Sequence, residues 1–363
     1  MSALTLTRLG IVMQPEPSND LEVEGVLNPA AVRGPDGELY LFPRMVAKGN
    51  YSRIGIARVK FGHAGDPVGV ERLGIALEPM ADYEKRSGGG GCEDARVTYV
   101  EPLKHYIMTY TAFSQNGPRI AIAQSTDLLH WERLGLASFG PYEHIDFNGI
   151  NNKDATMFPA AIQSAHGHRS LAMLHRPLFP GTRPEETVLR TVDILLREHH
   201  ECIWISYCHL ATDDLPSFRL PKFVSNQPLA VPQATWERLK IGAGTPPVMT
   251  KYGWLILYHG VSELSEPVND KHTLTYSAGV MIFHKEQAHR IVYRSPEPVL
   301  SPDLPEEKSG AISNVVFPTG IDCRHDLGEP NRFDVYYGMA DDRIGVARLD
   351  LPDDFLPASD PRK

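Results

Sequence analysis

A three-part phrase returns five times along this 363-residue chain, and each part has the length and residue types of a short β-strand. The first part leads from a polar residue into small, proline or apolar residues: Asn28-Pro29-Ala30-Ala31-Val32, Glu93-Asp94-Ala95-Arg96-Val97, Lys153-Asp154-Ala155-Thr156-Met157, Gly244-Thr245-Pro246-Pro247-Val248 and Asn314-Val315-Val316-Phe317-Pro318. A second, aromatic-rich part follows each, as in Leu39-Tyr40-Leu41-Phe42 and Gly253-Trp254-Leu255-Ile256-Leu257-Tyr258-His259. The third is again strand-like, as in Arg53-Ile54-Gly55-Ile56-Ala57, Arg119-Ile120-Ala121-Ile122-Ala123 and Arg343-Ile344-Gly345-Val346-Ala347. Units of roughly 50 to 70 residues built from three or four short strands, with 30 glycines and 30 prolines for turns, fit small sheets repeated around a channel. The expectation is an all-β chain, a five-bladed β-propeller forming one domain over residues 1–363. One segment departs from the pattern: residues 183–200 carry helix-forming residues with apolar spacing near 3.6, which predicts a helical insertion in the third blade. One chain end is expected to lend a strand that closes the ring, and the sequence does not say which.

Charge and cysteine usage narrow the function. A net charge of -9 and the lack of a long Lys/Arg cluster argue against a nucleic-acid partner. No apolar run approaches the roughly 20 residues that span a bilayer, and Met1-Ser2-Ala3-Leu4 does not begin a signal peptide, so no membrane partner and a cytoplasmic location are expected. Four scattered cysteines, at 92, 202, 208 and 323, suit a reducing compartment. The run His199-His200-Glu201-Cys202 to Cys208-His209 invites a metal reading, but a strand-like stretch separates the would-be ligands, and no metal site is expected.

In a propeller the innermost strand of each blade lines the central axis, so polar residues at strand entrances converge there. Asn28, Asp94, Asp154 and Asp341 come from different units, and Arg44, Arg96, Lys153, Arg176, Lys240 and His259 occupy comparable places. The stretch Gly88-Gly89-Gly90-Gly91-Cys92-Glu93-Asp94-Ala95-Arg96 sets two acids and an arginine between four glycines and an apolar run. Taken alone, such residues are equally consistent with structural ion pairs between blades.

The phrases Gly91-Cys92-Glu93-Asp94-Ala95-Arg96, Asn151-Asn152-Lys153-Asp154-Ala155, Met173-Leu174-His175-Arg176-Pro177, Lys240-Ile241-Gly242-Ala243-Gly244-Thr245-Pro246-Pro247, Trp254 to Val261 and Tyr337-Gly338-Met339-Ala340-Asp341 together resemble glycoside hydrolase family 130. That resemblance implies a five-bladed propeller and an inverting β-mannoside phosphorylase or β-mannosidase. Asp94 matches the family's general acid, which acts through a sugar hydroxyl. Asn28, Arg44, Glu93, Asn152, Lys153, Asp154 and Asp341 match positions around the mannosyl unit, and Arg176, Lys240, His259 and Tyr276 match the phosphate-binding set. A small oligosaccharide and inorganic phosphate as co-substrate are the implied partners, with no cofactor; a homo-oligomer is left open. The chain departs from the family at Ala95, where proline is common, at Asn151, where some members carry arginine, and in a longer segment after Arg176.

Chemistry divides the alternatives. An inverting hydrolase needs a base to activate water, whereas an inverting phosphorylase replaces the base with cations that hold an already anionic nucleophile. The joint presence of Arg176, Lys240, His259 and Tyr276 favours phosphorolysis. For hydrolysis, Glu237 and Glu263 are the nearby acids that could serve. A non-catalytic glycan-binding propeller is the third reading, and it has no need of an acid at Asp94. Trp131 and Trp254 are expected to pack in the blades rather than to stack on sugars.

Overall fold

The computed structural model describes residues 4–143, 145–179, 201–210, 222–263 and 273–356. Strands dominate throughout, and the four-residue turn Pro305–Lys308 is the one α-helical element among the described residues. The chain is all-β, as its repeats predict; the helix expected over 183–200 lies outside the described residues.

Antiparallel runs follow one another in chain order. Gly25–Arg33, Leu39–Ala47, Tyr51–Phe61 and Pro67–Leu77 form the first, and Gly90–Val100, His105–Ser114, Gly117–Ser125 and Glu132–Leu136 form the second. Parallel pairing of Tyr51 with Gly90 and Ser52 with Gly91 joins these two runs into one sheet of eight strands. Asn151–Met157, Arg169–Leu178, Ile203–His209 and Lys222–Ala230 build the next sheet, followed by Lys240–Ala243, Gly253–Glu263, Leu274–Phe283 and Ile291–Arg294. Val316–Cys323, Arg332–Met339 and Arg343–Asp350 make the last, and its fourth strand is the N-terminal Leu6–Met13, paired with Arg343–Asp350. The N-terminal strand therefore completes the sheet made by the C-terminal ones. The phrase at Gly244-Thr245-Pro246-Pro247 is not a strand but a break between Lys240–Ala243 and Val248–Thr250, because two prolines supply no amide hydrogens for a ladder.

Middle strands are buried on both faces. Arg332–Met339 is buried at all eight positions, whereas the edge strand Pro67–Leu77 is buried only at its ends. Apolar residues of adjacent sheets interlock between them, with Trp204, Phe139, Phe147, Phe158 and Tyr258 in one cluster. Each such side chain removed from water contributes about 1.5–3 kcal/mol. Trp254 belongs to this packing, edge-on to Phe158, and Trp131 packs edge-on to Phe42, as expected of both.

A second repeat is polar. The spacing Pro-x-x-x-x-Glu occurs at Pro17 to Glu22, Pro79 to Glu84, Pro232 to Glu237 and Pro302 to Glu307, and all four glutamates are buried. Glu84 accepts from the amides of Met80 and Ala81, from Tyr110 Oη at 2.5 Å and from Arg133 Nε at 2.8 Å. Glu237 accepts from the amides of Gln233 and Ala234, from Tyr258 Oη at 2.8 Å and from Arg294 Nη2 at 2.6 Å. Glu307 repeats the pattern with Asp303, Leu304, Tyr337 and Arg8, and Arg8 is on the closing N-terminal strand. Each of these three carboxylates thus ties a turn to a middle strand and to an edge strand, with its charge compensated in place.

Candidate functional site

Three inner strands carry the same irregularity. Asn28-Pro29, Asp94-Ala95 and Asp154-Ala155 each interrupt the register with the neighbouring strand, forming β-bulges. Their first residues lie in the left-handed region, at φ 44° for Asn28, 48° for Asp94 and 55° for Asp154. Asn and Asp tolerate that region better than bulkier side chains, and a bulge there re-aims the side chain out of the pleat. Asp94 and Asp154 adopt it with alanine following, so the proline common after the acidic pair is not required. Asp341, at φ 51°, is held in the same region just beyond the strand Arg332–Met339.

These side chains open onto one cavity of about 890 Å³, lined by Asn28, Arg44, Glu93, Asp94, Lys153, Asp154, Arg176, Lys240, Tyr276 and Asp341 together with the turn from Ser309 to Ile312. Ten of the twelve residues singled out from the sequence therefore meet. The two that do not are Asn152 and His259. Asn152 points the other way along its strand, toward His175 Nδ1 at 3.1 Å, because alternation sends Lys153 into the cavity and its neighbour into the sheet. His175 continues through Ser206 and Asn226 to the carbonyl of Gly140, a buried polar chain within the sheet. His259 is fully buried one layer behind the cavity wall, packed on Phe317 with ring centroids 4.4 Å apart. Its Nε2 lies 3.6 Å from Asp154 Oδ2, and neither ring nitrogen has a hydrogen-bond partner among the described residues. Burial pulls its pKa down to about 3, so the imidazole is neutral.

Contacts divide the cavity into two networks. In the first, Asp94 Oδ1 accepts from Asn28 Nδ2 at 2.9 Å and from Arg44 Nη1 at 3.5 Å, while Arg44 Nη2 reaches Glu93 Oε1 at 3.0 Å. Burial raises the Glu93 carboxyl above its ordinary range, with Arg44 opposing. Burial, then the charge of Asp94, pushes Asp341 up to about 6. Glu93 and Asp341 thus both keep their protons to higher pH than an ordinary carboxyl, because each is buried beside another acid.

In the second network, Arg176 Nε meets Asp154 Oδ2 at 2.5 Å and its Nη1 pairs with Glu201, whose carboxylate is 3.8 Å from Lys240 Nζ. Burial would raise the Asp154 carboxyl, yet the charge of Arg176, with those of Arg96 and Lys153, holds it well below the usual range. Lys240 Nζ lies 5.7 Å from the Tyr276 ring centroid, and burial, then the charge of Arg176, draws its pKa down to about 8. Lys153 acts electrostatically on both networks, on Glu93 and Asp341 in one and on Asp154 in the other.

Arg96 is structural. Fully buried, it donates to the carbonyls of Asp94 at 2.7 Å and Gly244 at 2.9 Å, and so ties the acid's bulge to the neighbouring sheet. The glycines before the acids permit a close approach of two strands. A Cβ on Gly91 would stand 2.2 Å from the Ser52 carbonyl, and one on Gly90 would stand 2.5 Å from that of Phe113. Only glycine lets the chain come near enough to the Tyr51–Phe61 strand to pair with it. At Asn151, Arg119 Nη1 of the preceding sheet donates to the side-chain oxygen at 2.6 Å.

Neither acid considered for a hydrolytic reaction lines the cavity. Glu237 is engaged by Tyr258 and Arg294, and Glu263 pairs with Arg238 at 2.8 Å. The sequence pattern missed Glu201, because its neighbours suggested metal ligands; among the described residues no group of three or more His, Cys, Asp and Glu could hold a metal ion. The buried Glu22, Glu84 and Glu307 were missed as well, and Glu237 was considered only as a hydrolytic acid, although their common spacing after proline is visible in the sequence. No helix of the described residues is long and apolar enough to cross a membrane.

The sequence profile of a family described as beta-1,4-mannooligosaccharide phosphorylase, glycoside hydrolase family 130, matches residues 10–354. Over 348 residues the chain is 30% identical to a 1,2-beta-oligomannan phosphorylase of Thermoanaerobacter sp. (strain X514), covering 94% of this chain and 95% of the relative. A beta-1,2-mannobiose phosphorylase of the same organism is 27% identical over 358 residues, covering 95% and 97%. Among solved structures, the beta-1,2-mannobiose phosphorylase of Listeria innocua in complex with beta-1,2-mannobiose superposes with a TM-score of 0.66 at 21% identity, over 95% of this chain and 96% of that one.

Proposed function

Because the chain belongs to glycoside hydrolase family 130, we propose that it is an inverting phosphorylase, which uses inorganic phosphate to cleave a β-mannoside into α-mannose 1-phosphate and a shortened sugar. One observation carries this reading: a carboxyl held by Asn28 and Arg44 shares a cavity with two closely spaced cations, Arg176 and Lys240. Asp94 is the general acid, delivering its proton to the leaving oxygen through a sugar hydroxyl. Asn28, Arg44, Glu93, Lys153 and Asp341 orient the mannosyl hydroxyls. Arg176, Lys240 and Tyr276 receive the phosphate, with Arg176 able to grip two oxygens. Asp154 and neutral His259 act from behind, fixing Arg176 and shaping its surroundings. No cofactor enters the reaction, since phosphate is itself the nucleophile.

The architecture that goes with this reading is a five-bladed propeller forming a single domain. Two antiparallel runs in the eight-stranded sheet and three further sheets give five units, and the pairing of Leu6–Met13 with Arg343–Asp350 is the closure such a ring requires. The bulges at Asn28, Asp94 and Asp154 then stand at equivalent places around the axis.

For the linkage we favour β-1,2, since the two relatives matched along almost the whole chain act on β-1,2-mannosides by name. The test is to incubate the protein with β-1,2-, β-1,3- and β-1,4-mannobiose, with and without inorganic phosphate. Mannose 1-phosphate formed from the β-1,2 disaccharide only when phosphate is supplied is the expected result. Free mannose released equally fast without phosphate would replace the phosphorylase with a hydrolase, and binding without turnover would leave a glycan-binding protein.

A further inference from the structure

Arg176 carries two carboxylates, and they differ in one respect. Asp154 sits on a bulge with a left-handed backbone, its side chain 2% exposed, in contact with Arg176 Nε. Glu201 meets Nη1 of the same guanidinium and approaches Lys240 Nζ to 3.8 Å, yet its side chain is 25% exposed. Asp154 is confined against Arg176, whereas Glu201 has one more rotatable bond and a partly exposed side chain, although the Oε2 that meets Arg176 is itself buried, so it has more freedom to move aside. A carboxylate against both Arg176 and Lys240 stands where a tetrahedral oxyanion held by the same two cations would place its oxygens. Both anions cannot occupy Nη1 together.

We propose that Glu201 is a resident counter-anion of the phosphate-side cations, which phosphate displaces when it binds, so that Glu201 sets the enzyme's affinity for phosphate. The inference rests on the reading of Arg176 and Lys240 as phosphate ligands. In the phosphate-free enzyme Glu201 keeps a largely buried guanidinium and a desolvated ammonium from standing unpaired, and so holds them in position for the incoming anion. Apparent phosphate affinity is then lowered by the fraction of molecules in which Glu201 has moved aside. An uncharged nucleophile such as water has no comparable means of replacing a carboxylate on two cations. Glu201 is thus a positioning and specificity residue, and it takes no part in proton transfer.

The experiment compares wild type, Glu201→Gln and Glu201→Asp, measuring calorimetric binding of inorganic phosphate and the phosphate KM and mannoside KM of phosphorolysis. Glu201→Gln should tighten phosphate binding and lower the phosphate KM by about tenfold, as expected if a site that is open about a tenth of the time becomes open always. The mannoside KM should stay within about twofold, a split that a general loss of structure would not produce. Glu201→Asp, which keeps the charge but retracts it by one methylene, should fall between the two and carries the test if Glu201→Gln shows no cooperative melting. Unchanged or weaker phosphate binding in a folded variant, with wild type active on phosphate, overturns the role of Glu201 alone. If neither wild type nor variant binds phosphate and no mannose 1-phosphate forms, the phosphate site itself is refuted and this inference falls with it.

Discussion

Asn28 donates its side-chain amide to Asp94 Oδ1 across 2.9 Å, joining two residues that both occupy the left-handed region on bulges of separate inner strands. Far apart in sequence, they meet because each bulge turns one polar side chain out of its pleat toward the same cavity. The amide and Arg44 together fix one carboxylate oxygen. The carboxyl is thereby oriented before any substrate arrives, as the proposed role of Asp94 as general acid requires.

Replacing Asp94 by asparagine retains the shape and removes the proton. Asp94→Asn should lower kcat by at least about a hundredfold, within the range general acid catalysis contributes. Binding of the β-mannoside, followed by calorimetry, should persist. Turnover within a few-fold of wild type would move the acid to another residue.

Lys240 predicts a pH limit. Its pKa is drawn down to about 8, so the free enzyme loses this positive charge as pH rises through 8. The kcat/KM for phosphate, which reports free-enzyme ionisations, should fall above about pH 8. Lys240→Arg keeps its charge throughout and should shift that limb upward by more than a pH unit. Parallel profiles for the two proteins would show that Lys240 is not the titrating group.

Asp341 bears on stability. Its carboxyl is raised from 3.8 to about 6 in the folded protein, so the native state holds more protons than the unfolded chain between those values. Stability from this group is therefore fully present at low pH and is lost as pH climbs through about 6. Asp341→Asn should be more stable than wild type at pH 8, by roughly 2–3 kcal/mol, with the difference vanishing below about pH 4. Urea denaturation at both pH values measures it, and an equal difference at each would remove the electrostatic explanation. The same substitution should weaken mannoside binding.

The buried glutamates make a further test of the fold. Glu84→Gln and Glu237→Gln each leave an arginine facing a neutral group and should cost about 3–5 kcal/mol in chemical denaturation. Because Glu237 is engaged by Tyr258 and Arg294, its loss should act on stability as Glu84 does, with KM values of the folded enzyme little changed. A selective collapse of kcat in Glu237→Gln would instead restore it as a catalytic base.

The all-β character, most returns of the three-part phrase and the residues that bring charge to strand entrances were legible in the chain, because the patterning of each strand is local and recurs from unit to unit; the fourth return, at Gly244 to Pro247, proved a break between strands. Asp94, Arg44, Lys153, Arg176, Lys240, Tyr276 and Asp341 could be singled out on that basis and by resemblance. Tertiary structure alone decided which of two adjacent residues faces the cavity: Lys153 enters it and Asn152 turns to His175, a matter of pleat and bulge that a one-residue shift would reverse. It also placed His259 behind the wall, where burial leaves it neutral, and tied Glu237 to an arginine from a distant edge strand. The N-terminal strand closing on the C-terminal one, and Glu201 resting on Arg176, depend likewise on contacts between remote parts of the chain. Sequence patterning determines how each strand divides its faces; long-range packing fixes what those faces meet, and the charge a buried side chain carries depends on that meeting.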